Sequence, residues 1–158
     1  GASSMRAPLL ALLPALAACS PPEPGFAWDV ALATARNGDT CHDPAVLYEE
    51  QLTYVLRFDG ADTRVAVDGD DFATGRMAGC SLTYRSVIWS ERRDDATLRW
   101  QIEGEALFKF GASACDIPGG HDWLGTETFT IIASDHPEIP AGCSYTLDVT
   151  GTFAGDWP

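Results

Sequence analysis

The sequence predicts an all-β protein of about eight antiparallel strands, folded as an up-and-down barrel or a β-sandwich. Apolar and polar residues alternate with a period of two through much of the chain. Asp-Gly pairs and Pro/Gly-rich stretches separate the alternating runs, and no stretch has a convincing helical period. Hydrophobic residues make up 46% and charged residues 21% of the 158 residues, which is typical of a folded globular domain.

The alternating runs define the strands in order along the chain. The clearest run is 98–108, in which every even-numbered residue is apolar except Gly104, and this glycine predicts a bulge or a sharp bend. The length of this run and the succession of hairpins favour the barrel, which leaves no open edge to aggregate. The predicted strands are 26–34, 51–58, 63–68, 71–77, 80–90, 96–110, 123–133 and 143–154.

A hairpin tip at 67–72 (VDGDDF) carries three aspartates, Asp68, Asp70 and Asp71. Carboxylates clustered in a tight loop are calcium ligands in some proteins, but the twelve-residue EF-hand pattern and its terminal Glu are missing. A solvated hairpin tip is therefore the favoured interpretation, and no metal site is predicted.

The first residues have the anatomy of an export signal. Residues 5–18 combine one arginine with a short apolar run, which is too short to span a membrane and is typical of a signal peptide. The end of this run, Leu16-Ala17-Ala18-Cys19, resembles the lipobox of bacterial lipoproteins. The resemblance implies that Cys19 is acylated, becomes the mature N-terminus and holds the protein on a membrane. Because Ser20 and not Asp follows this cysteine, the resemblance also implies the outer membrane.

These features divide the chain into four predicted parts. Residues 1–4 are interpreted as a tag or an upstream remnant, and 5–18 as the lipoprotein signal peptide. Residues 19–25, which include the segment SPPEPG, form the lipid anchor and an extended tether. Residues 26–158 form a single β domain.

Two similar heptapeptides suggest an internal duplication. Residues 78–84 are AGCSLTY and residues 141–147 are AGCSYTL, and a Cys-containing turn with a proline precedes each of them. We therefore expect two pseudo-repeats, at 26–89 and 98–157. The alternative is that a β-protein uses the same turn chemistry twice.

The cysteines predict disulfides. With Cys19 lipidated, four cysteines of an exported protein remain, and these most often form two bridges. Two equivalent halves favour the pairs Cys41–Cys80 and Cys115–Cys143. The spacing contains no Cys-x-x-Cys pattern, so neither a zinc site nor a redox site is predicted.

The charge balance limits the partners. Ten Lys and Arg face 23 Asp and Glu, which gives a net charge of −13. Nucleic acid is excluded as an expected partner, because its binding depends on basic contacts to phosphate.

The barrel design resembles lipocalins, although Gly25-Phe26-Ala27-Trp28 is one residue longer than their Gly-x-Trp signature. This resemblance implies a ligand inside the barrel.

No catalytic residue and no cofactor are predicted, because hydrolase and nucleotide-binding signatures are absent. The pairs His42-Asp43 and His121-Asp122 suggest a metal or acid–base site, but His-Asp pairs are common in turns, and this is the favoured interpretation. Glu103 and Glu105 share a face that is expected to be solvated. Two tryptophans remain as candidate ligand contacts: Trp89, which breaks the apolar register of its strand, and Trp123, which follows a glycine-rich loop.

The leading hypothesis is an envelope-anchored, non-catalytic β-barrel lipoprotein that acts as a binding or structural module for an envelope protein or a glycan. The alternative is a lipocalin-like carrier of a small apolar ligand, and a secreted enzyme is the third possibility. The volume of the barrel interior distinguishes the first two, because a filled barrel has no room for a ligand.

Overall fold

The structure is a computed structural model that describes residues 25–35, 38–43, 50–59, 62–109 and 120–157. These ranges contain nine β-strands: β1 (Gly25–Ala35), β2 (Glu50–Asp59), β3 (Asp62–Val67), β4 (Asp70–Ala78), β5 (Ser81–Ser86), β6 (Trp89–Arg93), β7 (Ala96–Lys109), β8 (Asp122–Ser134) and β9 (Ser144–Trp157). In these ranges no helix has the length and apolar character needed to cross a membrane.

Eight of the strands close into an antiparallel barrel. The strand order is β5-β4-β3-β2-β1-β9-β8-β7-β6, and β5 also pairs with β7, which closes the barrel and leaves β6 as an extra strand on β7. Apart from the β1–β9 and β5–β7 pairs, neighbouring strands are consecutive in the chain, as in an up-and-down barrel. The predicted all-β class is confirmed, and of the two predicted architectures the barrel is the one that forms.

The predicted strand 80–90 is interrupted in the structure at Val87 and Ile88, which lie between β5 and β6. Arg85 pairs with Glu103, and Trp89 pairs with Trp100. The three residues 86–88 therefore lie opposite only two residues of β7, 101 and 102. The extra residue shifts the register by one, so that Trp89 joins the inner face, whereas Val87 and Ile88 are exposed. This bulge explains why Trp89 breaks the apolar alternation of the sequence.

Gly104 does not form the predicted bulge, since the irregularity in the pairing of β7 with β8 falls between Arg99 and Trp100. Gly104 is instead a point of close approach. It pairs with Tyr84 across β5 and β7, and a Cβ atom on it would lie 2.0 Å from Cζ of the Tyr84 ring. Glycine is needed here because the Tyr84 ring crosses the strand at this position.

The predicted disulfide pairs are wrong, because Cys41 is bonded to Cys143. The cause is tertiary: the backbone N–H of Thr40 donates to the carbonyl oxygen of Ser144 at 2.9 Å, which brings the two cysteines together at one end of the barrel. Cys80 is also disulfide-bonded. Cys115, which was predicted to pair with Cys143, lies outside the described residues.

The structure does not show the predicted duplication. Residues 26–89 contain β1 to β5, whereas residues 98–157 contain only β8, β9 and most of β7. The one disulfide seen among the described residues joins the two segments, whereas the predicted bridges lie within them.

Aromatic side chains fill one half of the barrel interior, at the end where β1 begins and β7 ends. Trp28 lies at the centre, and its ring centroid is 5.5 Å from that of Phe108, 5.6 Å from that of Trp123 and 5.4 Å from that of Phe153. Trp28, Phe108 and Trp123 have no solvent exposure. We call this region the filled half, and each such buried ring contributes roughly 2–3 kcal/mol to folding.

Candidate functional site

The other half of the barrel contains a partly open cavity of about 380 Å³. We call it the cup; it lies where β1 and β8 end and where β2, β7 and β9 begin. Its volume is in the range of small-molecule sites. Aliphatic side chains from strands all around the barrel form much of its wall: Leu32, Leu52, Val67, Leu98, Ile131 and Leu147.

A ladder of four neighbouring rings, which we call the aromatic ladder, forms one wall of the cup. Trp89 stacks on Trp100 with centroids 5.9 Å apart, Trp100 lies 5.4 Å from Phe129, and Phe129 stacks on Tyr145 at 4.8 Å. The rings come from four successive strands, β6, β7, β8 and β9. Trp89 and Trp100 are register partners, as are Phe129 and Tyr145, whereas Trp100 and Phe129 lie diagonally across β7 and β8. The ladder presents a continuous aromatic surface to the cavity.

The rim of the cup is pinned by a disulfide and an ion-pair cluster. Cys41 and Asp43, which follow β1, both line the cavity, and the bridge to Cys143 holds this segment against the start of β9. Arg93 of β6 donates to Asp43, and it also donates to Glu91 at 2.5 Å. The segment after β1 is therefore tied to strands on both sides of the opening.

The floor of the cup carries a buried carboxyl group, that of Glu127 on β8, which is 1% exposed and lines the cavity. The hydroxyls of Tyr54 and Tyr84 both donate to its Oε2 atom, at 2.7 Å and 2.6 Å. Tyr84, Gly104 and Glu127 are register partners on three adjacent strands, so Tyr84 reaches Glu127 by crossing Gly104. Within the described part of the chain, Oε1 of Glu127 accepts no hydrogen bond.

Burial dominates the electrostatics of this floor. It raises the pKa of Glu127, because an apolar site disfavours the carboxylate, although the two tyrosine hydrogen bonds act in the opposite direction. The pKa of Tyr84 is raised well above its usual value by burial and then by the nearby negative charge of Glu127. Tyr84 therefore keeps its proton and remains a donor. No described lysine, arginine or histidine forms an ion pair with Glu127.

The two tryptophans singled out in the sequence have different positions. Trp89 lies at the rim, where it is 39% exposed and lines the cavity. Trp123 is buried in the filled half against Tyr54, Tyr84 and Phe108, and it does not line the cup. This position removes Trp123 from the candidate ligand contacts, because packed rings surround it.

The structure does not bring the two His-Asp pairs together. His42 and Asp43 lie at the rim of the cup, whereas His121 precedes β8, and its carbonyl oxygen accepts a hydrogen bond from Trp28 in the filled half at 2.7 Å. Asp43 is paired with Arg93. The two pairs thus belong to opposite ends of the barrel and form no common site.

The other candidate carboxylates lie on the surface. Asp68, Asp70 and Asp71 are exposed at the β3–β4 hairpin, as predicted, and Asp71 forms ion pairs with Arg57 and Arg64 at 3.7 Å and 3.9 Å. Glu103 and Glu105 are exposed on the outer face of β7, also as predicted. Among the described residues, no group of three or more His, Cys, Asp or Glu side chains is arranged to hold a metal ion.

Glu127 belongs to no motif, and the signal that identifies it is positional. Period-two alternation through 123–131 places it on the same face as Trp123, Phe129 and Ile131, which are all apolar. A charged residue on the buried face of a strand is rare unless it is paired or functional.

Comparisons of the chain with protein-family models, curated proteins and solved structures found no match. The resemblances to bacterial lipoproteins and to lipocalins therefore stay predictions, and the residues of the cup are the basis for its interpretation.

Proposed function

We propose that this protein is a non-catalytic binding barrel that holds a small, largely apolar ligand in the cup, as a lipocalin-like carrier does. The observation that carries the proposal is the cavity of about 380 Å³, which lies in the barrel interior and is walled by aromatic and aliphatic side chains. Interior space of this kind favours a carrier over a structural module with a filled barrel.

The construction of the cup supports a preformed site. The aromatic ladder is braced ring against ring, and the disulfide Cys41–Cys143 and the cluster around Arg93 fix the rim. A site that is rigid before binding loses little conformational entropy when the ligand arrives. The filled half below supplies a solid floor on which the cup rests.

The proposal includes the location predicted from the sequence. The lipobox-like segment supports acylation of Cys19 and attachment to the cell envelope, with the outer membrane as the expected site. The ligand would then be taken up or released at a membrane surface. Replacing Cys19 by alanine should release the protein from isolated membranes, and continued retention would contradict the anchor without affecting the cup.

The test of the cup uses a neutral apolar fluorescent probe, N-phenyl-1-naphthylamine, and a pair of variants on β2. Leu52 points into the cavity, whereas its neighbour Gln51 points outward and is exposed. Leu52→Trp should fill the cup and weaken probe binding by about tenfold or more, while Gln51→Trp should leave the affinity within about twofold.

Native mass spectrometry of the oxidised protein, compared with its denatured mass, provides a second readout. Extra mass that disappears on denaturation is the expected result for a protein purified with its ligand. Equal probe affinity in the wild-type protein and in the Leu52→Trp variant would contradict the proposed function.

A further inference from the structure

We propose that the ligand is an organic cation, a flat apolar molecule with one ammonium group that contacts the Glu127 carboxyl at the floor of the cup. This inference rests on the proposed function and specifies the chemical class of the ligand. Three features of the described residues support it independently: the carboxyl, the ring walls and the charge of the rim.

The first feature is a buried acid without a counter-charge. Glu127 is 1% exposed, and its Oε2 atom is held by the hydroxyls of Tyr54 and Tyr84. Its Oε1 atom has no hydrogen-bond partner among the described residues, and the side chain lines the cavity. Burying a carboxyl in apolar surroundings is costly unless a cation or enough donors compensate. The described residues supply two donors and no cation, so a ligand ammonium would complete the site.

The second feature is the aromatic wall. The ladder from Trp89 to Tyr145 presents ring surface to the cavity, and Tyr54 and Phe72, whose centroids are 5.7 Å apart, lie on the opposite side. Ring faces attract cations through their quadrupole, and tryptophan does so most strongly. The same rings accommodate a flat apolar body by stacking. The aromatic rings of the cup can therefore contact both the ammonium group and the flat apolar body of an aromatic amine.

The third feature is the sign of the charge at the opening. Among the described residues, the cavity lining includes five carboxylates near the rim and one cation, Arg93, which is paired with Asp43 and Glu91. A third carboxylate, Asp71, is paired with Arg57 and Arg64. Glu50 and Asp70 form no ion pair within the described ranges. The negative potential of this rim attracts cations and repels ligands with a carboxylate or phosphate head group. A fatty acid is thus disfavoured, although the cavity is apolar.

The experiment compares three indole ligands of similar shape by isothermal titration calorimetry at low salt and near-neutral pH: tryptamine (cation), tryptophol (neutral) and indole-3-propionate (anion). We expect tryptamine to bind about tenfold more tightly than tryptophol, and indole-3-propionate to bind most weakly. This comparison uses the unmodified protein, so it does not depend on the folding of any variant.

A pair of charge-matched variants locates the ammonium. Glu127→Gln keeps the shape of the side chain and should reduce tryptamine affinity by about tenfold, while tryptophol affinity stays within about twofold. Glu105→Gln removes the same charge from the exposed outer face of β7 and should change neither affinity measurably.

The outcomes distinguish a failure of the cationic-ligand inference from a failure of the proposed binding function. Tryptophol or indole-3-propionate binding as tightly as tryptamine would overturn the cationic ligand and leave the cup as a binding site. Unchanged tryptamine affinity in Glu127→Gln would also overturn it. If none of the three ligands binds and the neutral probe does not bind either, the inference and the proposed function both fail.

Discussion

The two halves of the barrel interior share strands β1, β7, β8 and β9, and aromatic rings line both, yet one half is filled and the other is hollow. In the filled half, Trp28 and Trp123 meet edge to face with centroids 5.6 Å apart, and other rings occupy the remaining space. In the cup, Phe129 and Tyr145 stack nearly parallel, with an interplanar angle of 11°, and stay against the wall. Ring orientation therefore distinguishes the two halves: neighbouring rings are steeply inclined in the filled half and closer to parallel in the wall of the cup.

The boundary between the halves is set by one polar layer. Tyr54, Tyr84 and Glu127 meet there, and Gly104 makes room for the Tyr84 ring. Below this layer the packed rings supply stability, whereas above it the space is free for a ligand. The comparison therefore predicts that substitutions in the two halves have different consequences.

The largest difference is expected between two tryptophans. Trp123→Ala in the filled half should lower the free energy of unfolding by about 3–5 kcal/mol, because it leaves a large cavity among packed rings. Trp100→Ala in the cup wall should cost about 1–2 kcal/mol, since this ring is already partly exposed, and should instead weaken probe binding. Urea denaturation and probe titration measure both effects. Equal losses of stability would contradict the division into two halves.

The disulfide of the rim is the next largest contribution. Cys41–Cys143 closes a loop with a sequence separation of 102, so the double variant Cys41→Ala/Cys143→Ala should lose about 2–4 kcal/mol of stability. Because the bridge holds the segment that lines the opening, we also expect weaker probe binding. A stability loss without any effect on binding would show that the rim does not shape the cup.

Non-reducing peptide mapping sharpens this comparison. We expect Cys41 linked to Cys143 and Cys80 linked to Cys115. The carbonyl oxygen of Cys80 accepts a hydrogen bond from the backbone of Phe108 at 3.0 Å, and Cys115 follows shortly after the end of β7 in sequence. A Cys41–Cys80 or Cys115–Cys143 link would contradict the arrangement of the rim.

An intermediate effect is expected at the boundary. Gly104→Ala should cost about 1–3 kcal/mol, because the new methyl group would collide with the Tyr84 ring. In a Tyr84→Ala background the same change should cost much less, and this double-mutant cycle isolates the contact. If Gly104→Ala lowers stability equally in the wild type and in the Tyr84→Ala variant, glycine is needed at this position for its backbone conformation and not for the space it leaves to the Tyr84 ring.

The smallest effect concerns the pH dependence of stability. Burial raises the pKa of Glu127 above its usual value of 4.5, so between these two values the folded state binds a proton that the unfolded state has lost. Stability is therefore fully present at low pH and falls as pH rises to the raised value, while the Tyr54 and Tyr84 hydrogen bonds reduce the shift. Glu127→Gln should flatten this decline in thermal melts. An unchanged profile would mean that the carboxyl does not titrate differently in the folded protein.

Much of the barrel was predictable because its signals are local. Strand faces follow from alternation, and the exposed aspartates of the β3–β4 hairpin follow from the Asp-Gly turn. The position of Trp89 was not predictable in this way, because a one-residue bulge turns it inward. Gly104 was identified as a special position, but only the neighbouring strand shows that it accommodates Tyr84.

The amino-acid sequence by itself determined the β class, the approximate number of strands and the face that most strands bury, because these depend on neighbours two residues apart. Only the tertiary structure decided that Cys41 meets Cys143, that one half of the interior is hollow, and that Glu127 forms its floor. Each of these depends on residues far apart in the chain, whose proximity is set by barrel closure and by the packing of rings across its axis.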